Sequence, residues 1–240
     1  MKIGLKNVVK NIMDGLFPPR CRGCGESGAY LCGCCKKYIS EKMRVREVGD
    51  AEGVFGRAVF LGYRDEILGE LVEEAKYESV RGMLGEIAEV VWRGYLEKME
   101  GEVVLVPMPT SRKHVRERAM DHMDVICREV ERLSGGRVRK VRLLMRAKDT
   151  VQVGASSEVR RKQAKEAVRV SAKFVGEDGK VWPEYRKAKV ILMDDVWTTG
   201  ASMVEAGKLL RKAGVEDLTA VAITKSRTHK SPAIRHGEIA

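Results

Sequence analysis

The stretch KVILMDDVWTTGASMVEAGKLLRKAG, residues 189 to 214, constrains this chain more than any other feature. Val190 to Met193 is an unbroken apolar run, the pattern of a central strand buried on both faces of a parallel sheet. A helical stripe of Val204, Leu209, Leu210 and Ala213 follows, and Gly214 supplies its stop. Strand, short polar interval and helix together form the unit of an α/β fold.

The interval carries the chemistry. Two carboxylates, Asp194 and Asp195, precede Thr198, Thr199, Gly200, Ala201 and Ser202. Open α/β sheets bind ligands beyond the carboxyl ends of their strands, where this segment emerges. Hydroxyls and the free N–H groups of a helix start can surround a phosphate monoester, and a glycine lets the backbone approach it closely. Asp194 and Asp195 would repel a phosphate, so their natural partners are sugar hydroxyls. Acids followed by hydroxyls describe a ribose 5-phosphate. Residue by residue, the same string also fits a strand that ends in acids and a helix capped by Thr199 or Ser202.

The chain has 240 residues, enough for one full α/β domain and a small appendage. With 44% apolar and 33% charged residues it has the balance of a soluble globular protein. No apolar run reaches the roughly 18 to 20 residues that cross a bilayer. The N-terminal MKIGLKNVVKNIMDGLF is basic and partly apolar, but Lys6 and Lys10 interrupt it before an export signal can form. Leu5, Val8, Val9, Ile12 and Leu16 instead recur at helical spacing, which predicts a short amphipathic helix and a cytoplasmic protein. The net charge of +11 suits phosphate-bearing partners, although a solvated basic surface has the same composition.

Five of the six cysteines crowd into CRGCGESGAYLCGCC. Cys21 with Cys24, and Cys32 with Cys35, form two C-x-x-C knuckles, a spacing that lets four thiolates converge tetrahedrally on a structural zinc ion. A pair of disulfides is the competing reading and needs an oxidising compartment. Cys34 is surplus and could replace Cys35 in the second pair, whereas Cys127 lies among Met123, Ile126 and Val130 as a buried free thiol.

Elsewhere, Val103 to Val106 reads as a second buried strand ending in a proline-bounded loop, followed by Arg112, Lys113, Arg116 and Arg118. Met123, Ile126, Cys127, Val130 and Leu133 mark an amphipathic helix, and Val138 to Leu144 alternates like a strand. The polar RAKDTVQVGASSEVRRKQAKEAVRV that follows reads as a lid over a reacting centre or as a surface excursion.

Val190 to Ser202 resembles the binding signature of type I phosphoribosyltransferases at every defined position. The four-cysteine knuckle, the Val-Pro-x-Pro loop, Arg112 with Arg116, the Arg146, Thr150 and Gln152 stretch and DDVWTTGAS together resemble the ComF family of competence-associated, phosphoribosyltransferase-like proteins. The resemblance runs from about Leu16 to Lys225. It implies a type I phosphoribosyltransferase fold with a mostly parallel central sheet flanked by helices, divided as a zinc-bearing N-terminal module over 1–50 and the main domain over 51–240. It further implies binding of 5-phosphoribosyl-1-pyrophosphate with magnesium. In that arrangement Asp194 and Asp195 hold the ribose hydroxyls, Thr198 to Ser202 the 5-phosphate, and Arg112 or Lys113 the pyrophosphate.

An association with uptake of single-stranded DNA is also implied, with DNA-uptake proteins as partners. Two functions are therefore carried forward: phosphoribosyl transfer to a nitrogen acceptor, and non-catalytic handling of single-stranded DNA. One segment departs from the family pattern. Where relatives carry Arg-Gly-Phe-Asn-Gln, this chain reads Arg118, Ala119, Met120, Asp121, His122.

Overall fold

The computed structural model describes residues 18–48, 53–78, 81–111, 115–116, 120–146 and 168–227. The expected N-terminal helix, Arg112, Lys113, Arg118, Ala119, and residues 147–167 of the lid segment, with Thr150 and Gln152, lie outside the described residues.

In chain order the elements are α1 (Gly33–Lys42), β1 (Arg46–Glu47), β2 (Arg57–Tyr63), α2 (Ile67–Glu78), α3 (Arg81–Gly94), β3 (Val103–Pro107), α4 (His122–Leu133), β4 (Val138–Lys140), β5 (Leu144–Arg146), β6 (Val168–Val170), α5 (Pro183–Arg186), β7 (Lys189–Trp197), α6 (Ala201–Lys212) and β8 (Asp217–Lys225). Six strands form one sheet in the order β1-β2-β8-β7-β3-β4. Only the β1–β2 pairing is antiparallel. β5 and β6 form a separate antiparallel pair. The expected α/β fold, a mostly parallel central sheet flanked by helices with a small N-terminal cysteine-bearing appendage, is thus present.

Strand order explains where the layers fall. From β3 the chain passes through α4 to β4 on one side, whereas from β7 it passes through α6 to β8 on the other. Parallel crossovers share one hand, so opposite directions place α4 and α6 on opposite faces. Side-chain alternation along β7 then splits the core. Ile191 and Met193 pack with α2, α3 and α4, while Val190 and Leu192 pack with Met203, Val204 and Leu210 of α6.

Three sequence expectations are refined. β7 continues past Met193 to Trp197, because β8 pairs with it along that length, Asp194 opposite Ala222 and Trp197 opposite Lys225. Both acids therefore lie within the strand. The Val138 to Leu144 run is divided between β4 and β5, which join different sheets. α4 begins at His122, with the Asp121 side chain accepting a hydrogen bond from the Asp124 N–H as an N-cap.

The cysteine-bearing segment docks on α3. Leu31, Cys21 and Cys35 belong to the same buried cluster as Met83, Ile87 and Val90. Polar ties surround that contact: Arg22 pairs with Glu74, Lys36 with Glu89, and the Leu31 N–H donates to Glu86. Among the described residues, no helix is long and apolar enough to cross a membrane.

Candidate functional site

β3 and β7 are neighbours whose connections leave in opposite directions, which makes their carboxyl ends the crevice of the sheet. From β7 comes Thr198–Thr199–Gly200. Both threonines are exposed, and Gly200 adopts a left-handed conformation, φ 78°, as the N-cap of α6. A glycine cap has no side chain to satisfy the first N–H groups of the helix, so those beyond the Ala201 N–H, which donates to Thr199, remain available to an anion. The Thr199 hydroxyl approaches the Ala201 N–H at 3.4 Å, and Ala201 and Ser202 lie exposed in the first turn. Thr198, Thr199, Gly200, Ala201 and Ser202 thus lie together at one helix start.

From β3 comes the Pro107–Met108–Pro109–Thr110 loop. It is tied to β7 by the Met108 N–H donating to the Met193 carbonyl at 2.8 Å. Arg146 of β5 donates from Nε to the Pro109 carbonyl at 2.9 Å. The Thr110 hydroxyl donates to Asp121 at 2.9 Å, linking the loop to the start of α4. Arg112 and Lys113 follow this loop in sequence, outside the described residues.

The two acids have different surroundings. Asp195 reaches α2 and α4, and the Asp194 carboxyl lies against that of Asp195. The Asp195 Oδ2 sits 2.8 Å from Lys76 Nζ of α2 and 2.8 Å from His122 Nε2 of α4. Burial works against the Asp195 charge, but His122 and Lys76 outweigh it and hold the carboxyl well below its ordinary range. Lys76 is likewise opposed by burial, yet Asp195 and Glu73 raise its ammonium above the ordinary value. The Asp194 Oδ1 accepts the Asp195 N–H at 2.9 Å. Burial first, and the neighbouring Asp195 charge second, push the Asp194 carboxyl up to about 8. The two carboxyls are thus shifted in opposite directions.

Sequence reasoning did not find Lys76. It lies in a helix otherwise rich in acids, and only the packing of α2 across β7 reveals its partner. His122 was visible as the end of the divergent Arg118 to His122 segment, without an assigned contact. Its Nδ1 is buried with no hydrogen-bond partner among the described residues.

The sulfurs of Cys21, Cys24, Cys32 and Cys35 all lie within 4.8 Å of one another. Zinc–thiolate bonds of about 2.3 Å place tetrahedral sulfurs roughly 3.8 Å apart, so this donor set fits a closed four-thiolate site. The Gly23 and Cys32 N–H groups point at Cys21 Sγ, at 3.4 and 3.2 Å. Burial disfavours the Cys21 thiolate, but these N–H donors bring its pKa down to about 7. Cys34 is exposed and stands outside the group, because the α1 helix turns Cys35 inward and Cys34 outward. Cys127 is the buried free thiol expected, its pKa raised by burial.

No protein-family model matches the chain. It is 25% identical over 210 residues to Competence protein F of Haemophilus influenzae, the match covering 83% of this chain and 82% of that protein. Among solved structures, it is similar to a hypoxanthine phosphoribosyltransferase from Staphylococcus aureus. The tetragonal crystal form matches at 11% identity and a TM-score of 0.33, covering 70% of each chain. The orthorhombic form matches at 11% identity and 0.31, covering 69% of this chain and 74% of that one.

Proposed function

We propose that the crevice between β3 and β7 binds 5-phosphoribosyl-1-pyrophosphate together with magnesium, and that the chain transfers its phosphoribose to a nitrogen acceptor. The observation that carries this reading is the start of α6: exposed Thr198 and Thr199 and a left-handed Gly200 that offers the first turn no side-chain cap, set beside the acidic end of β7. The Thr198 to Ser202 cradle takes the 5-phosphate, the Asp194 and Asp195 end of β7 the sugar, and Arg112 with Lys113 the pyrophosphate. In the reaction, a nitrogen lone pair forms the new bond to the anomeric carbon while the bond from that carbon to pyrophosphate breaks. Positioning and stabilisation of the charge on the leaving group supply the rate. Magnesium favours oxygen ligands and is commonly held through substrate phosphates with few protein groups. The similarity to Competence protein F supports a competence-associated role for this chemistry.

Calorimetric titration with phosphoribosyl pyrophosphate and magnesium tests the site. Native protein should bind, and Thr199→Val should weaken binding by about tenfold through loss of one phosphate-directed hydroxyl. Unchanged affinity in Thr199→Val rejects the assignment of the cradle.

A second reading has its own observation. Trp182 is 41% exposed and stacks on Tyr185, with Phe174 edge-on to both and Lys173 and Arg139 against the rings. An exposed Trp182 among cations suits single-stranded nucleic acid, whose bases stack while its backbone is neutralised. Such binding falls steeply with salt, which separates it from magnesium-dependent sugar-phosphate binding.

A further inference from the structure

We propose that a cleft between α1, the end of β2 and the start of α2 is a second binding site, which takes a small anion carried on an apolar body, in its simplest form an alkyl carboxylate. The cleft encloses about 360 Å³, within the roughly 300 to 1,000 Å³ typical of small-molecule sites. None of the residues lining it belongs to the crevice between β3 and β7.

Segments far apart in sequence build its walls. Leu61 of β2 and Leu68 of α2 are buried beneath it. Ile39 of α1 and Met43 just beyond that helix pack on the same core cluster while staying partly exposed. Met43 is held from behind by α3, where its sulfur fills the space that a β-carbon on Gly94 would need. Tyr38 stands at the edge of the cleft, 37% exposed. Apolar walls open to water favour a ligand that brings an apolar body of its own.

Charge selects the other end of that ligand. Lys42, Arg44 and Arg46 line the cleft together with one acid, Glu66. Glu66 is already engaged, accepting the Tyr63 N–H at 2.9 Å and Arg227 at 3.2 Å. The nearby Glu41 and Glu47 pair instead with Lys37 and Arg57. The three cations are therefore left without a carboxylate partner among the described residues. Arg46 is placed by its guanidinium lying 4.9 Å from the centre of the Tyr63 ring and by donating to the Arg44 carbonyl at 3.3 Å. A cationic edge over an apolar floor attracts an anion and rewards a chain attached to it. The concave shape suits one free molecule, since a flat bilayer surface cannot enter it.

Calorimetric titration of the full chain with hexanoate, octanoate and decanoate, each below its micelle concentration, tests the site. Affinity should rise about tenfold for every two methylenes until the cleft is filled. Octylammonium should bind at least about tenfold more weakly than octanoate, because the cations repel it. Lys42→Glu/Arg44→Glu, both at exposed positions, should weaken octanoate binding by about tenfold or more and leave the melting temperature near native. Thr199→Val, at the crevice, should bind octanoate as the native chain does. No binding of octanoate by the native chain, an affinity indifferent to chain length, equal binding of octylammonium, or native-like binding by the doubly reversed variant overturns the site. Loss of octanoate binding in Thr199→Val places the anion in the crevice and overturns it too. Sedimentation separates the other occupants. Association with phosphatidylglycerol vesicles, or a dimer, that the doubly reversed variant loses and octanoate does not displace gives the cleft to a membrane or to a second copy, and overturns the proposal.

Discussion

Gly200 lies directly against the indole of Trp197: a β-carbon added to the glycine would collide with the Nε1 edge of that ring. Trp197 ends β7 and is buried, and its carbonyl accepts the Ser226 N–H at 3.1 Å, so the ring has little freedom to retreat. The cradle therefore turns around an aromatic wall.

Gly200→Ala should cost about 2 kcal/mol in denaturant unfolding, from the left-handed backbone and the overpacking together. The same variant should weaken phosphoribosyl pyrophosphate binding more than Thr199→Val, because it displaces the N–H groups as well as a hydroxyl. Equal stability of variant and native protein would refute the contact.

The pH dependence of stability should carry the mark of Asp194. Its carboxyl rises from the ordinary 3.8 to about 8 on folding, so between those values the folded chain holds a proton that the unfolded chain has released. Stability contributed by this group is complete below about pH 4 and declines as pH rises toward about 8. Asp195 acts in the opposite sense, its lowered pKa adding stability that is lost as pH falls below the ordinary carboxylate range. Asp194→Asn should flatten the decline above pH 4, as read by urea midpoints across the range.

Asp124 is a buried carboxylate shared by three cations, Arg128, Lys140 and Arg142. Burial opposes its charge, but Arg142 and Lys140 hold its pKa below the ordinary value. Arg128 and Arg142 are well exposed and can rehydrate, whereas Lys140 is largely buried. Asp124→Ala should cost about 3 kcal/mol, mainly from the stranded Lys140 ammonium. Lys140→Met in the same background should recover part of it. No recovery would place the cost elsewhere.

For the cysteine cluster, elemental analysis should find one zinc per chain, abolished by Cys21→Ser with Cys24→Ser. Chelation should lower the melting temperature of the whole protein. The reason is continuity: Cys21, Leu31 and Cys35 share a buried cluster with α3, so loss of the knuckle exposes part of the main core. A melt unaltered by chelation would show that the metal supports only its own loop.

The sequence by itself determined what is local. Val190 to Ser202 carries strand, acids, hydroxyls and cap in one contiguous run, the α4 stripe repeats at helical spacing, and two C-x-x-C pairs lie eleven residues apart at their first cysteines, Cys21 and Cys32. Each is set by backbone periodicity or by the short reach between neighbours, so each is readable in the order of residues. What needed the tertiary structure is everything that depends on which strand lies beside which. Pairing with β8 carried β7 on to Trp197 and drew both acids into the strand, and the turn of α1 chose Cys35 over Cys34. The sheet order laid α2 and α4 over the end of β7, so that Lys76 and His122, the latter 73 residues away in sequence, meet on one carboxylate oxygen. No spacing rule links positions that far apart, because the chain between them is free to take many paths until the whole core closes.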